Sequence, residues 1–177
     1  MKTEALALPG LLLLEPRVFT DDRGHFFESY NERDFRHAGI DERFVQDNQS
    51  RSHRGVLRGL HAQLENPQGK LVRVVCGTIL DVAVDIRPDS ATFGRWEAVR
   101  LDADAPSQLW VPPGFAHGFV ALAEPTVVLY KCTALYDADD EIGIRWDDPD
   151  LAIDWPVRSP VLSDKDAALP TLAELEP

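Results

Sequence analysis

Of the five histidines in this sequence, two stand where an imidazole must find either a partner or a task. His61 ends the strand-like run Gly55-Val-Leu-Arg-Gly-Leu-His, and His117 ends Pro112-Pro-Gly-Phe-Ala-His. Both have glycine and apolar residues as neighbours, and among those an unpaired titratable ring is costly. The other three read differently: His37 as part of a surface helix, His53 as part of a polar loop, and His25 as a packing residue in the strand Gly-His-Phe-Phe-Glu-Ser. Between Gln46 and His61 the chain also gathers amides and arginines at a density unusual for a β-rich stretch. Such a group of polar side chains around a base-capable ring marks a site, where an imidazole offers general acid–base chemistry or metal ligation.

The run that closes on His117 resembles the Pro-x-Gly-x-x-His turn by which cupin barrels bring a side chain into the barrel mouth. In metal-binding cupins that histidine joins a His-x-His pair and an earlier glutamate, because a divalent ion needs three or four convergent ligands. Here the earlier position reads His61-Ala62-Gln63, one imidazole short. His61, Gln63, Glu65 and His117 therefore make a poor metal set, and no metal is expected.

A net charge of -12 excludes a general nucleic-acid surface, which needs an excess of Lys and Arg. The charge is uneven, however. Arg51, Arg54, Arg58, Lys70 and Arg73 face only Glu65 in their stretch, whereas acids dominate from Asp137 onward. A basic island in an acidic chain suits one small anion such as a diphosphate, or else is simply a solvated basic face.

The elements that must position these residues are mostly strands. Leu71 to Cys76 leads through Gly77-Thr78 into Ile79 to Arg87, which predicts a β-hairpin. In its second arm Leu80, Val82, Val84 and Ile86 share a core face, while Asp81, Ala83, Asp85 and Arg87 share a polar one. Further strands are predicted over Gly24 to Tyr30, Gly55 to Gln63, Trp96 to Leu101, Ser107 to Val111, Gly118 to Leu122 and Thr126 to Tyr136. Turn clusters punctuate the chain about every ten residues, the spacing of a sandwich or barrel. Helix is sparse, with Glu32 to Ala38 and a second piece near Asp164 to Ala168 as candidates. No helices alternate with strands, which argues against a doubly wound fold.

At 177 residues, with no internal repeat or linker, the chain reads as one domain, 1–177. Its longest early apolar run, Leu11 to Leu14, is too short for a span or a signal core, so no membrane partner and a cytoplasmic location are expected. The two cysteines, Cys76 and Cys132, are expected to be buried reduced thiols. The last residues are expected to form a strap that frays at its end.

A wider resemblance runs over nearly the whole chain. It is carried by Arg17-Val-Phe-Thr-Asp-Asp-Arg-Gly, Phe26-Phe-Glu-Ser, Phe44-Val-Gln-Asp-Asn, Gly55-Val-Leu-Arg-Gly-Leu-His and Gly69-Lys-Leu-Val-Arg-Val-Val. Downstream it continues in Asp81-Val-Ala-Val-Asp-Ile-Arg, Gln108-Leu-Trp-Val-Pro-Pro-Gly-Phe-Ala-His-Gly-Phe, Leu129-Tyr-Lys-Cys-Thr, Trp146-Asp-Asp-Pro and Leu162-Ser-Asp-Lys-Asp. On these pieces the sequence resembles the dTDP-4-dehydrorhamnose 3,5-epimerases. The resemblance implies a mainly β, cupin-like jelly-roll barrel with a few short helices, working as a homodimer and needing no cofactor.

It also implies roles. The ketone at C4 of a dTDP-linked 4-keto-6-deoxysugar acidifies the protons on C3 and C5, so a base can remove them to give an enolate. By resemblance His61 is that base, Asp166 the carboxylate that orients it, Tyr130 the acid on the opposite face, and Lys70 the stabiliser of the oxyanion with His117 nearby. Arg23, Glu28, Gln46, Asp47, Asn48, Arg58, Glu141 and Lys165 match positions that hold the nucleoside and diphosphate. Phe19 offers a stacking surface for the base. Departures from the family pattern fall at Ala62, Gln49 and Leu135. Strict alternation sends Arg58 and His61 to opposite strand faces, so a site that uses both requires a bulge near Gly59.

Three readings follow. The first is 3,5-epimerisation toward dTDP-4-dehydro-L-rhamnose. The second is inversion of a single carbon, C3 or C5, in a related keto-sugar. The third is a cupin that binds a metal or sugar nucleotide without epimerising it.

Overall fold

The computed structural model describes residues 1–175. The short apolar runs become strands β1 (Lys2–Ala5), β2 (Leu12–Glu15), β3 (Phe19–Asp21), β4 (Gly24–Phe26), β5 (Gln46–Ser52), β6 (Leu57–Gln63), β7 (Lys70–Cys76), β8 (Thr78–Asp85), β9 (Trp96–Asp102), β10 (Gln108–Val111), β11 (Phe115–Ala121), β12 (Thr126–Cys132) and β13 (Glu141–Gly143). Two short helices, α1 (Glu32–His37) and α2 (Asp164–Ala167), lie where composition placed them. The strands form a six-stranded sheet, β1-β2-β10-β7-β12-β5, and a five-stranded sheet, β13-β6-β11-β8-β9, with β3 and β4 as a separate ribbon. Two facing antiparallel sheets of this order make a cupin-like jelly roll.

The predicted hairpin between β7 and β8 does not exist. β7 pairs with β10 and β12, whereas β8 pairs with β11 and β9. Gly77 turns the chain from one sheet to the other instead. It takes φ +80°, and an added Cβ would lie 2.7 Å from the Pro125 carbonyl oxygen. A tight Gly-containing turn between two apolar runs is common to hairpins and to sheet corners, so sequence cannot separate them.

Both faces of β8 are consequently buried. Val82 and Val84 join Leu57, Leu60, Ile144, Leu151 and Trp155 on the outer side of the five-stranded sheet, where the C-terminal strap covers them. Ile79 and Ala83 point between the sheets with Val72, Val74, Leu101, Leu109, Phe115 and Phe119. The polar face of β8 thus looks into the barrel, which fully buries Asp81 and Asp85. Asp85 is satisfied there by Arg87 at 2.6 Å, Ser90 at 2.6 Å and Thr92 at 2.6 Å. Burial pushes its carboxyl up, but these bonds outweigh that and hold it well below the usual carboxylate range.

A third apolar cluster seats α1 on the other sheet: Phe35 packs with Tyr30, Phe44, Leu71 and Trp110. The helix starts at Asn31, whose side chain accepts from the Asp34 amide. Cys132 is buried as expected, but Cys76 is exposed at the end of β7, where the sheet edge no longer covers it. His25 is exposed too, because the expected strand Gly24 to Tyr30 is only a three-residue arm of the ribbon. The strap packs through Leu162, Leu172 and Leu175 as far as it is described. Its expected frayed tip, 176–177, lies outside the described residues. Among the described residues no helix is long and apolar enough to cross a membrane.

Candidate active site

The bulge that alternation demanded is present in β6. Opposite β11, His61 pairs with His117 and Arg58 with Phe119, so two residues of β6, Gly59 and Leu60, face the single Gly118. Glycine at position 59 makes this feasible. It takes φ +115°, and a Cβ there would lie 2.6 Å from Gly118 Cα. The extra residue turns Arg58 and His61 to the same side, and both line one cavity of about 540 Å³ between the two sheets.

Within it, His61 Nε2 lies 2.6 Å from Asp166 Oδ1. Asp166 is brought there by α2, whose cap Ser163 accepts from the Asp166 amide at 3.0 Å. Burial raises the Asp166 carboxyl, but the hydrogen bond and charge of His61, the Ser163 hydroxyl and the Gly59 amide together hold it below its ordinary value. An ionised carboxylate only accepts, so Nε2 carries the proton and Nδ1 keeps the lone pair. Beside Nδ1, at 3.9 Å, stands Glu141 Oε1.

Tyr130 enters the same cavity from β12 of the other sheet, opposite His61. Burial is the main reason its phenol is pushed above the ordinary value, which keeps it a proton donor. Lys70, at the start of β7, is buried and donates to the His61 carbonyl oxygen at 3.3 Å. Desolvation lowers its pKa, with Cys132, Asp81 and Glu141 pulling the other way. His117 Nε2 meets Asp81 Oδ1 at 2.8 Å, so a second imidazole–carboxylate pair lies beside the first. Asp81 was not singled out from sequence, although its place on the polar face of β8 was the available signal.

Asn48, Arg58, His61, Lys70, His117, Tyr130, Lys165 and Asp166 thus converge on the main cavity, and Gln46 and Glu141 line a smaller one continuous with it at His61, Asn48, Lys70 and Tyr130. Lys165 and the Tyr136 hydroxyl both bind Glu141 Oε2, the phenol at 2.7 Å. Four expected residues do not join them. Asp47 lies on the outer face of β5, since strand alternation separates it from Gln46 and Asn48, and it pairs with Lys131 at 2.8 Å. Phe19, Arg23 and Glu28 lie on and after the exposed ribbon and line other, smaller cavities. Of the basic island, Arg73 lines a separate cavity on the outer side of the six-stranded sheet with Lys131 and Gln108.

The metal reading fails at Gln63. Its amide donates to the carbonyl oxygens of Asn66 and Leu135 at 2.9 Å and 3.2 Å and accepts from the Asp137 amide at 3.1 Å. The side chain is committed to fastening the loop after β12, while Glu65 is exposed.

A barrel of two antiparallel sheets, with a polar mouth built from both, defines a cupin-like enzyme. The family model for dTDP-4-dehydrorhamnose 3,5-epimerase matches residues 5–174. The enzyme of that name from Pseudomonas aeruginosa is 56% identical over 168 residues, covering 94% of this chain and 93% of that protein. Two crystal structures superpose closely. The dTDP-6-deoxy-D-glucose-3,5-epimerase of Legionella pneumophila, in complex with dTDP-4-keto-L-rhamnose, gives a TM-score of 0.95 at 46% identity over 99% of this chain and 94% of that one. The dTDP-4-dehydrorhamnose 3,5-epimerase of Bacillus anthracis, with TDP and PPi bound, gives 0.94 at 49% identity over 96% and 98%. The chain belongs to the dTDP-4-dehydrorhamnose 3,5-epimerase family.

Proposed function

We propose that this protein, as a single domain, inverts C3 and C5 of dTDP-4-dehydro-6-deoxy-D-glucose to give dTDP-4-dehydro-L-rhamnose. The observation that carries the reading is the His61–Asp166 pair on one sheet facing Tyr130 on the other across the cavity. His61 Nδ1 removes a proton beside the C4 ketone, and the bond's electron pair moves into an enolate. Tyr130 then gives its proton to the carbon from the opposite side, which inverts it. Lys70 stabilises the oxyanion: a buried ammonium with one long hydrogen bond among the described residues gains most when negative charge develops next to it. His117 supports it from the floor of the cavity.

Arg58 and Lys165 hold the diphosphate at the rim, and Gln46, Asn48 and Glu141 take the sugar and nucleoside side. The protein acts as a homodimer in the cytoplasm. The ribbon of one copy, with Phe19, Arg23 and Glu28, completes the cavity of the other, a reading supported by the exposure of Phe19 and Phe26. The test is incubation with the keto-sugar nucleotide in heavy water. Deuterium at both C3 and C5 with formation of the L-sugar is expected, and label at one carbon alone sinks the double inversion.

A further inference from the structure

Double inversion leaves a proton problem that His61 and Tyr130 cannot solve between themselves. In the first inversion a C–H bond breaks, its proton goes to Nδ1 of His61, and its electron pair forms the enolate. The O–H bond of Tyr130 then breaks, and its proton makes the new C–H bond as the ketone re-forms. The sugar returns to neutrality, but the protein is left with an imidazolium and a phenolate. A second inversion by the same pair needs a neutral ring and a protonated phenol. One proton must therefore leave His61 and one must reach Tyr130, with no net change.

Resting on the double epimerisation proposed above, we infer that Glu141 is the proton exit of His61, the group that resets the base between the two inversions. Asp166 cannot serve, because it is buried behind the ring and already holds the proton on Nε2. Glu141 is the carboxylate beside the atom that takes the proton, with Oε1 3.9 Å from Nδ1 and Oε2 bonded to Tyr136 and Lys165. Its own side chain is 9% exposed, whereas Tyr136 is 52% exposed. The carboxylate thus spans from a half-buried ring to solvent. Closing the gap to hydrogen-bond distance takes a movement of about 1 Å, as substrate binding commonly supplies.

The ionisation state fits a relay. Burial raises the Glu141 carboxyl, but the bonds from Lys165 and Tyr136 and the charges of His61 and Lys165 prevail and hold it below its ordinary value. It therefore stands ionised, with Oε1 beside Nδ1, and a proton that it takes up passes readily to water beside Tyr136. Glu141 acts through His61 and not on the sugar's reacting carbons, so its loss slows the second inversion more than the first.

The experiment is a single-turnover reaction in heavy water with enzyme in excess over the keto-sugar nucleotide, quenched over time and read for deuterium at each carbon. Wild type labels both carbons in one encounter. Glu141→Gln, which keeps the size and a hydrogen-bonding end but cannot take up a proton at this pH, slows the second carbon by about tenfold more than the first, so a singly inverted sugar accumulates. Both carbons react in the same complex, so a defect of binding or folding lowers both rate constants alike. An unchanged ratio of the two overturns the proposal. If Glu141→Gln does not fold, Tyr136→Phe decides: it removes the exposed end of the path and shifts the ratio the same way, and an unchanged ratio again overturns it. Wild type labelled at one carbon only is a separate outcome, which removes the double-inversion reading and the relay with it.

Discussion

Asp166 holds Nε2 of His61 at 2.6 Å, so the ring offers only Nδ1 to the cavity. Asp166→Asn keeps the size but removes the charge, and its amide can donate to Nε2 and reverse the tautomer. Turnover is expected to fall by about 10²–10⁴-fold with a much smaller change in KM, as for an orienting carboxylate behind a catalytic imidazole. His61→Asn should abolish inversion. Steady-state kinetics decide, and Asp166→Asn with near-wild-type kcat would remove the pair from the mechanism.

Tyr130 and His61 stand on different sheets, which separates acid from base. Tyr130→Phe keeps the base and loses the opposite-face donor. Its expected signature is divided: inversion drops by about 10²-fold or more, while deuterium still enters unreacted substrate with retention as His61 removes and returns the proton on one face. Nuclear magnetic resonance of recovered substrate reads this. Loss of exchange in step with inversion would show that Tyr130 is needed for proton removal itself.

Lys70 has a single hydrogen bond among the described residues, to the His61 carbonyl oxygen at 3.3 Å. Lys70→Met fills its buried position without charge. An oxyanion stabiliser acts mainly in the transition state, so kcat should fall by about 10²–10³-fold while KM moves little. A variant defective in KM alone would make Lys70 a binding residue.

The barrel could be read from sequence because apolar alternation and turn spacing are local properties. Which strands pair is not local, and so Gly77 looked like a hairpin turn while it joins two sheets. β5 and β13 carried no apolar signal, since Gln46, Asn48 and Glu141 face a polar cavity. The main group of site residues was legible, and the contradiction between Arg58 and His61 located the bulge. Asp47 entered through a matching family position, and strand alternation, which the resemblance does not weigh, puts it on the face of β5 opposite Gln46 and Asn48. Phe19, Arg23 and Glu28 match a pattern that one copy of the chain does not assemble.

Asp85 gives a stability prediction with a definite sign. Its folded-state pKa is depressed by Arg87, Ser90 and Thr92, so it contributes stability above the unfolded carboxylate value, and that contribution is lost as pH falls through the folded value. Asp85→Asn should cost about 3 kcal/mol near neutral pH, because it leaves the Arg87 guanidinium without its carboxylate. The difference between the two proteins should stay constant down to about pH 4 and narrow below it. Urea unfolding at several pH values measures this, and a gap that widens in acid contradicts it.

Gly59 joins fold and chemistry at one position. Its φ of +115° and the 2.6 Å that a Cβ would leave to Gly118 Cα allow no side chain without moving β6 away from β11. Those strands carry His61 and His117 in register. Gly59→Ala should therefore cost about 2–4 kcal/mol of stability through strain and a steric clash. The protein that remains folded should also lose turnover, because a shift of even 1 Å in His61 disturbs its approach to the substrate carbon. Urea midpoints and kcat per folded molecule test the two halves separately. Stability lost with full kcat would mean that the bulge supports the fold but does not aim the base.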